Sequence, residues 1–166
     1  SALPSVSGYS GGGRTMIEAY EQGQAAPFEL YALGLEHKHL PEIMAMTGLT
    51  RRPLFVPSVG NFKQGMLVQL PLHLDELNGS VTADDLQQAL LNHYAPSKAW
   101  GGMVSVEPPT ANAKLDALAL NDTNKLEIRV YGNPTHRQAL LVARLDNLGK
   151  GASGAAVQNL QLMFGL

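Results

Sequence analysis

The chain has 166 residues, 45% hydrophobic and 16% charged, which is enough apolar material for one globular core and too much for a disordered segment. A formal net charge of -2, with Lys and Arg scattered apart from Arg51-Arg52, leaves no basic footprint for nucleic acid or an anionic membrane. Cysteine is absent, which removes disulfides, thiolate metal sites and thiol nucleophiles, and no apolar run or basic-then-apolar leader is present, so a soluble, intracellular protein is the expectation.

Leu3 to Ser7 predicts a short strand entering a Gly/Ser turn, and Arg14 to Gln22 a helix with Met16, Ile17 and Tyr20 on its apolar face. Phe28 to Leu35 has strand character, and Glu36-His37-Lys38-His39 follows. Pro41 then takes the first position of a short helix that ends near Gly48. Pro53 to Val59 reads as a buried strand, Gly60 to Gly65 as a tight hairpin-type turn, and Met66 to His73 as the next strand. Thr82 with Asp85 forms a capping box opening a helix through Tyr94, which buries Leu86, Ala89 and Leu90, with His93 a further candidate. Ala95 to Asn124 is irregular connection, with one strand at Met103 to Val106. Leu126, Ile128 and Val130 alternate with Glu127, Arg129 and Tyr131, and Asn133-Pro134 turns the chain into Gln138 to Arg144, a β-hairpin. Gly149 to Phe164 closes the chain as a helix with Ala156, Val157, Leu160, Met163 and Phe164 at helical spacing. Strands outnumber helices and long crossover helices are few. The fold class is therefore α+β, a mixed, largely antiparallel sheet with helices on one face.

Four polar segments could carry chemistry. Ser7-Gly-Tyr-Ser10-Gly-Gly-Gly-Arg14 sets two hydroxyls and a guanidinium among glycines, suited either to wrapping an anion or to a plain solvated turn. Glu36-His37-Lys38-His39-Leu40-Pro41-Glu42 places two imidazoles beside two carboxylates where a strand gives way to a helix, which fits acid/base work, a two-histidine metal site without a signalled third ligand, or two solvated rings. Asn61 and Lys63 sit in the Gly60 to Gly65 turn. Asp146-Asn147-Leu-Gly149-Lys-Gly151-Ala-Ser-Gly154 leads a polar pair into a small-residue helix start, fit for an anion or polar ring substituent, or for close packing.

Taken together and in this order, Ser7 to Arg14, His37-Lys-His-Leu-Pro-Glu-Ile43, Pro57-Ser-Val-Gly-Asn-Phe62 and Asp146 to Asn159 resemble four blocks of the N-acetyl-gamma-glutamyl-phosphate reductases, in their shorter bacterial subtype. The resemblance implies an NADP-dependent reduction of an acyl phosphate to N-acetylglutamate semialdehyde, in arginine biosynthesis, through a thioester on a cysteine. That cysteine and a Rossmann domain would precede Ser7, so this chain would be the C-terminal substrate-binding and dimerisation half, inactive alone and similar in fold to the C-terminal domain of glyceraldehyde-3-phosphate-dehydrogenase-like enzymes. Residue by residue, Ser7, Ser10 and Arg14 would bind substrate together with Asn61 and Lys63. Many members of that family have Arg just before the glycine where this chain has Lys63-Gln64, and Lys63 would stand in as a point charge. His37 would be the acid/base partner of the thiol, with His39 the runner-up and Glu42 tuning the ring. Asn147 would bond the nicotinamide amide, and Gly149, Gly151 and Gly154 would admit the cofactor; no metal is implied. Residues 1–148 would form the substrate domain, and 149–166 a helix packing on the nucleotide-binding domain. The partners would be a small-molecule substrate and further copies of the chain, as a dimer or tetramer, in the cytoplasm. Two alternatives stand beside this: half of a related semialdehyde dehydrogenase, and a stand-alone binding or assembly module, which the absence of cysteine favours.

Overall fold

The computed structural model describes residues 2–95, 102–110, 112 and 114–165. Seven strands form one sheet: β1 Ala2–Gly8, β2 Phe28–Leu30, β3 Leu54–Gly60, β4 Met66–His73, β5 Val104–Glu107, β6 Leu126–Asn133 and β7 Gln138–Leu145. Their order across the sheet is β2-β3-β1-β4-β7-β6-β5. The β1–β3 and β5–β6 pairs are parallel and the other four are antiparallel, the mixed and largely antiparallel α+β sheet expected from the sequence. The helices are α1 Arg14–Glu21, α2 Leu40–Thr47, α3 Ala83–His93 and α4 Gly154–Phe164. Among the described residues no helix is long and apolar enough to cross a membrane.

The long hairpin of β6 and β7 follows from apolar alternation around Asn133-Pro134, in the register Leu126 opposite Leu145 through Asn133 opposite Gln138. Thr82 begins α3 as the capping box requires, with its hydroxyl accepting from the Asp85 N–H and the Asp85 carboxylate accepting from the Thr82 N–H. The helix packs on β6 and β5. Leu86 and Leu90 are half-buried there, whereas Ala89 and His93 face outward, because one face of an 11-residue helix meets the sheet and the other meets water.

Several expectations need correction. Phe28 to Leu35 is a strand only to Leu30, because Ala32 and Leu35 take positive φ angles of 52° and 58° and fold the chain into a turn. Pro41 is the second residue of α2, not the first. Gly60 to Gly65 is no hairpin. β3 and β4 do not pair; β1 lies between them, parallel to one and antiparallel to the other, so this loop passes over the end of β1. The strand after the irregular connection starts at Val104, and positions 96–101, 111 and 113 of that connection lie outside the described residues. The final helix opens with a π-helical segment over Gly149–Ser153 before α4.

The polar face of the hairpin is not a solvent face. Glu127 lies directly opposite Arg144 on β7, and its carboxylate binds Arg144 at 2.5 Å and Arg129 at 3.2 Å. All three side chains are largely buried, because both guanidinium groups also donate to carbonyls of the overlying connection, at Asp116 and Pro108. By contrast β4, flanked by strands on both sides, has no fully buried residue along its apolar sequence Met66 to His73.

Candidate active site

Four segments distant in sequence converge at the C-terminal end of β1. The Gly8, Tyr9 and Ser10 N–H groups donate to the carbonyls of Gly65, Phe62 and Lys63, so the 61–65 loop is strapped across the strand end. Gly65 has φ 116°, and a Cβ there would lie 2.6 Å from the Ala117 carbonyl oxygen, so only glycine lets the 117–124 segment approach this loop. The fourth segment is the exit of β7. Asn147 accepts from the Gly65 N–H at 2.8 Å with Oδ1 and donates from Nδ2 to Ser10 Oγ at 2.9 Å. Ser7 lies three residues before Ser10, its hydroxyl donating to the Gly8 carbonyl.

Beneath Asn147, Asp146 is 1% exposed. Its Oδ1 accepts from the Leu148 N–H at 2.9 Å, and its Oδ2 accepts from the Asp122 N–H at 2.8 Å and from Gln64 Nε2 at 3.1 Å. Gln64 Nε2 also reaches Asp122 Oδ1, and Asn121 Nδ2 donates to the Gln64 carbonyl. Gln64, Asn121, Asp122 and Asp146 were not singled out as site residues from the sequence. Asp146 was read only as half of a polar pair with Asn147, and apart from its bond to the Leu148 N–H the side-chain contacts of these four residues span 24 to 82 residues, which no local pattern could show. The Gly149 and Gly154 positions face inward, where a Cβ would run into the Thr123 carbonyl and the Asn124 side chain; internal packing alone therefore calls for glycine there, while Gly151 meets only ordinary contacts. Lys150 turns inward to the Gln158 carboxamide, and burial lowers its pKa from the ordinary 10.5.

The remaining candidates lie outside this cluster. Arg14 is 91% exposed on its side chain and pairs with Glu18 one helical turn on, away from Ser7 and Ser10. Asn61 and Lys63 are exposed on the strapped loop; the Lys63 carbonyl accepts from the Ser10 N–H, whereas the Asn61 N–H donates to the Pro27 carbonyl. His37 packs its ring against Phe55, Tyr31 and His39, with centroids 4.9, 5.9 and 4.8 Å away. Phe55 pairs with Leu3, four residues before Ser7 in the β1–β3 register, so at 3.3 Å per residue the histidines sit about 13 Å along the sheet from Ser7. Burial, then the charges of His39 and Lys38, lower the His37 pKa from 6.5. Its Nδ1 accepts from the His39 N–H at 3.2 Å, which leaves the ring proton of the neutral form on Nε2. Glu42 is exposed in the first turn of α2 and bonds neither ring. Glu36 is held instead by Arg52, at 2.6 Å, which keeps its carboxyl below the usual range. Among the described residues no group of three His, Asp or Glu is placed to hold a metal ion.

The family profile for "Semialdehyde dehydrogenase, dimerisation domain" matches residues 2–147. The chain belongs to that family. Over 170 residues it is 48% identical to the N-acetyl-gamma-glutamyl-phosphate reductase of Burkholderia lata, covering 99% of this chain and 53% of the relative. It is 50% identical to N-acetyl-gamma-glutamyl-phosphate reductase 2 of Pseudomonas putida, covering 98% and 53%. This dimerisation-domain chain thus spans about half the length of the curated relatives it matches. Among solved structures, aspartate semialdehyde dehydrogenase II from Vibrio cholerae superposes with a TM-score of 0.66 at 13% identity, over 98% of this chain and 54% of that one, which establishes the shared fold.

Proposed function

We propose that this chain is the substrate-side half of an NADPH-dependent N-acetyl-gamma-glutamyl-phosphate reductase, acting in the cytoplasm as part of a biosynthetic enzyme. The observation that carries the proposal is the near-half identity to reductases of that name along almost the whole chain, through the Ser10–Asn147 cluster and α4. In the reaction a cysteine thiolate displaces phosphate from the acyl phosphate, and hydride then reduces the resulting thioester to the aldehyde and releases the thiol. This sequence holds no cysteine, so the nucleophile must come from the other half of the polypeptide.

The chain's own groups have three tasks. Ser7, Ser10 and the strapped loop carrying Asn61 and Lys63 form a polar floor for the substrate, with Lys63 as its point cation and Arg14 reaching in only by turning from Glu18. Asn147 has spent one of its two amide protons on Ser10, and the second fits the carbonyl of a nicotinamide amide; the cofactor, when bound there beside Gly151, supplies hydride. His37 handles protons. As seated it offers Nε2–H, and taking the thiol proton requires the ring to release the His39 N–H, with His39 the second candidate and Glu42 near enough in sequence to orient either.

Two surfaces support the assembly expected of such an enzyme. The partly exposed apolar centre of the sheet at β4 would be covered by another copy of the chain. On α4, which lies beyond the family match, Val157, Leu160, Met163 and Phe164 are all more than half exposed, and residues 149–166 would pack on the nucleotide-binding half. The test is NADPH oxidation with N-acetylglutamyl phosphate. The complete polypeptide should turn it over and this chain alone should not; activity of the chain alone, or its lack in the complete polypeptide, would overturn the reading.

A further inference from the structure

The Asp146 carboxylate is buried without a Lys or Arg ion pair among the described residues, an arrangement that costs free energy unless neutral donors fully satisfy it. Three donors do so, and each comes from a different part of the frame around Asn147. The Leu148 N–H fixes the chain direction immediately after Asn147. The Gln64 amide lies between Lys63, whose carbonyl holds the Ser10 N–H, and Gly65, whose N–H holds Asn147 Oδ1. The Asp122 N–H belongs to the segment against which Gly65 packs. One carboxylate therefore ties down both bonding partners of the Asn147 amide as well as the backbone that carries it.

We propose that Asp146 is the positioning residue of the candidate site, setting the angle at which Asn147 presents its free N–H and at which Ser10 presents its hydroxyl. The inference rests on the reductase reading for its kinetic consequence, but not for its geometry. Replacing Asp146 with Asn keeps the shape and exchanges one acceptor oxygen for an NH2 group, which faces an N–H donor whichever way the amide turns. The donors lose their common anchor.

The test uses the complete polypeptide and a cycle of Asp146→Asn, Asn147→Ala and the double variant. Asp146→Asn should lower kcat by about 10²-fold, the effect of a displacement on the order of 1 Å at a reacting centre, with KM for the acyl phosphate little changed. On the Asn147→Ala background it should cost almost nothing more. A kcat loss that multiplies with that of Asn147→Ala, or a loss of urea stability with kcat intact, would overturn the proposal and leave Asp146 a fold residue. If Asp146→Asn does not fold, Gln64→Met, which removes one donor at similar volume, should show the same non-additivity with Asn147→Ala. If the wild type reduces nothing, the functional reading falls but the inference is still decided by NMR. The Asn147 Nδ2 proton that Ser10 Oγ accepts should exchange more slowly in wild type than in Asp146→Asn, with the sheet amides unchanged; equal exchange in both would refute it.

Discussion

The two flanks of the sheet are finished in opposite ways. On the β7–β6–β5 side charged groups are buried and used: Glu127 is clamped by Arg144 and Arg129, which also bond the carbonyls of Asp116 and Pro108, and Asp146 is surrounded by N–H donors. On the β2–β3 side apolar groups are left in the open, with Phe28, Leu30, Leu33, Leu35 and Leu54 each about half exposed or more and Met46 at 88%. The His37 ring is held there by ring packing and by the His39 N–H. A flank whose buried charges are paired needs no further cover, even though the Nε groups of Arg129 and Arg144 find no partner among the described residues, whereas a flank with an open apolar edge resembles a surface awaiting cover. In the reductase reading the first would hold substrate and cofactor steady, and the second, which carries His37 and His39, would take its final shape only in the assembled enzyme.

The largest effect should come from breaking the clamped flank. Glu127→Ala leaves two largely buried guanidinium groups facing each other without a counter-charge, a change of the kind that costs about 3–5 kcal/mol. Urea unfolding should register that loss; a shift below about 1 kcal/mol would mean that the arginines find water and that this flank is no more finished than the other. Acid should act in the same direction. Burial pushes the Glu127 carboxyl up, but the Arg144 and Arg129 guanidinium groups outweigh it and hold the group below its ordinary 4.5. Its contribution is therefore complete above that value and is lost as pH falls below it, and Glu127→Gln should flatten this part of the acid-unfolding profile.

This contrast was only partly legible in the sequence. The alternation of Leu126, Ile128 and Val130, the Asn133-Pro134 turn and the Thr82–Asp85 capping box are local signals, and each produced the element it predicted. Alternation put Glu127 and Arg129 on the face opposite Leu126, Ile128 and Val130, but period two says nothing of a connection that returns to cover that face. The insertion of β1 between β3 and β4 was hidden for a related reason. Strands joined by a five-residue loop usually pair, and only long-range packing decides otherwise. The blocks around Ser10 and Asn147 were recognisable and the structure joins them, but Gln64 and Asp146, which hold them together, are 82 residues apart. Composition left Arg14 open: a guanidinium beside glycines suits an anion, and in this structure Glu18 at the i+4 position takes it.

A smaller effect should follow from loosening the same flank at its covering helix. Thr82→Ala removes the hydroxyl that accepts the Asp85 N–H and should cost about 1 kcal/mol. Hydrogen exchange locates the loss. Amides of α3 should exchange faster while those of β1 and β3 hold their protection, since α3 packs on β6 and β5. Loss spread evenly over both flanks would show that the two are one cooperative unit, and the comparison would lapse.

The smallest effect belongs to the open flank and depends on pH. Burial, then His39 and Lys38, hold the folded-state pKa of His37 below the ordinary 6.5, so the unfolded segment binds a proton more readily than the folded one. The sign follows from linkage: His37 costs nothing above the ordinary value, where both states are neutral, and favours opening as pH falls below it toward the folded-state value. The geometry adds a local reason. Protonated Nδ1 can no longer accept the His39 N–H, so two donors would face each other across the turn that leads into α2. Amides of residues 31–47, corrected for intrinsic exchange, should therefore lose protection between about pH 7.5 and about pH 5.5, while those of β6 and β7 keep theirs. His37→Phe, which keeps ring packing on Phe55 and Tyr31 but cannot titrate, should remove the dependence. The same segment tightening on acidification would mean that a carboxylate closes on the charged ring, with Glu42 the nearest in sequence, and that the open flank is finished from within the chain after all.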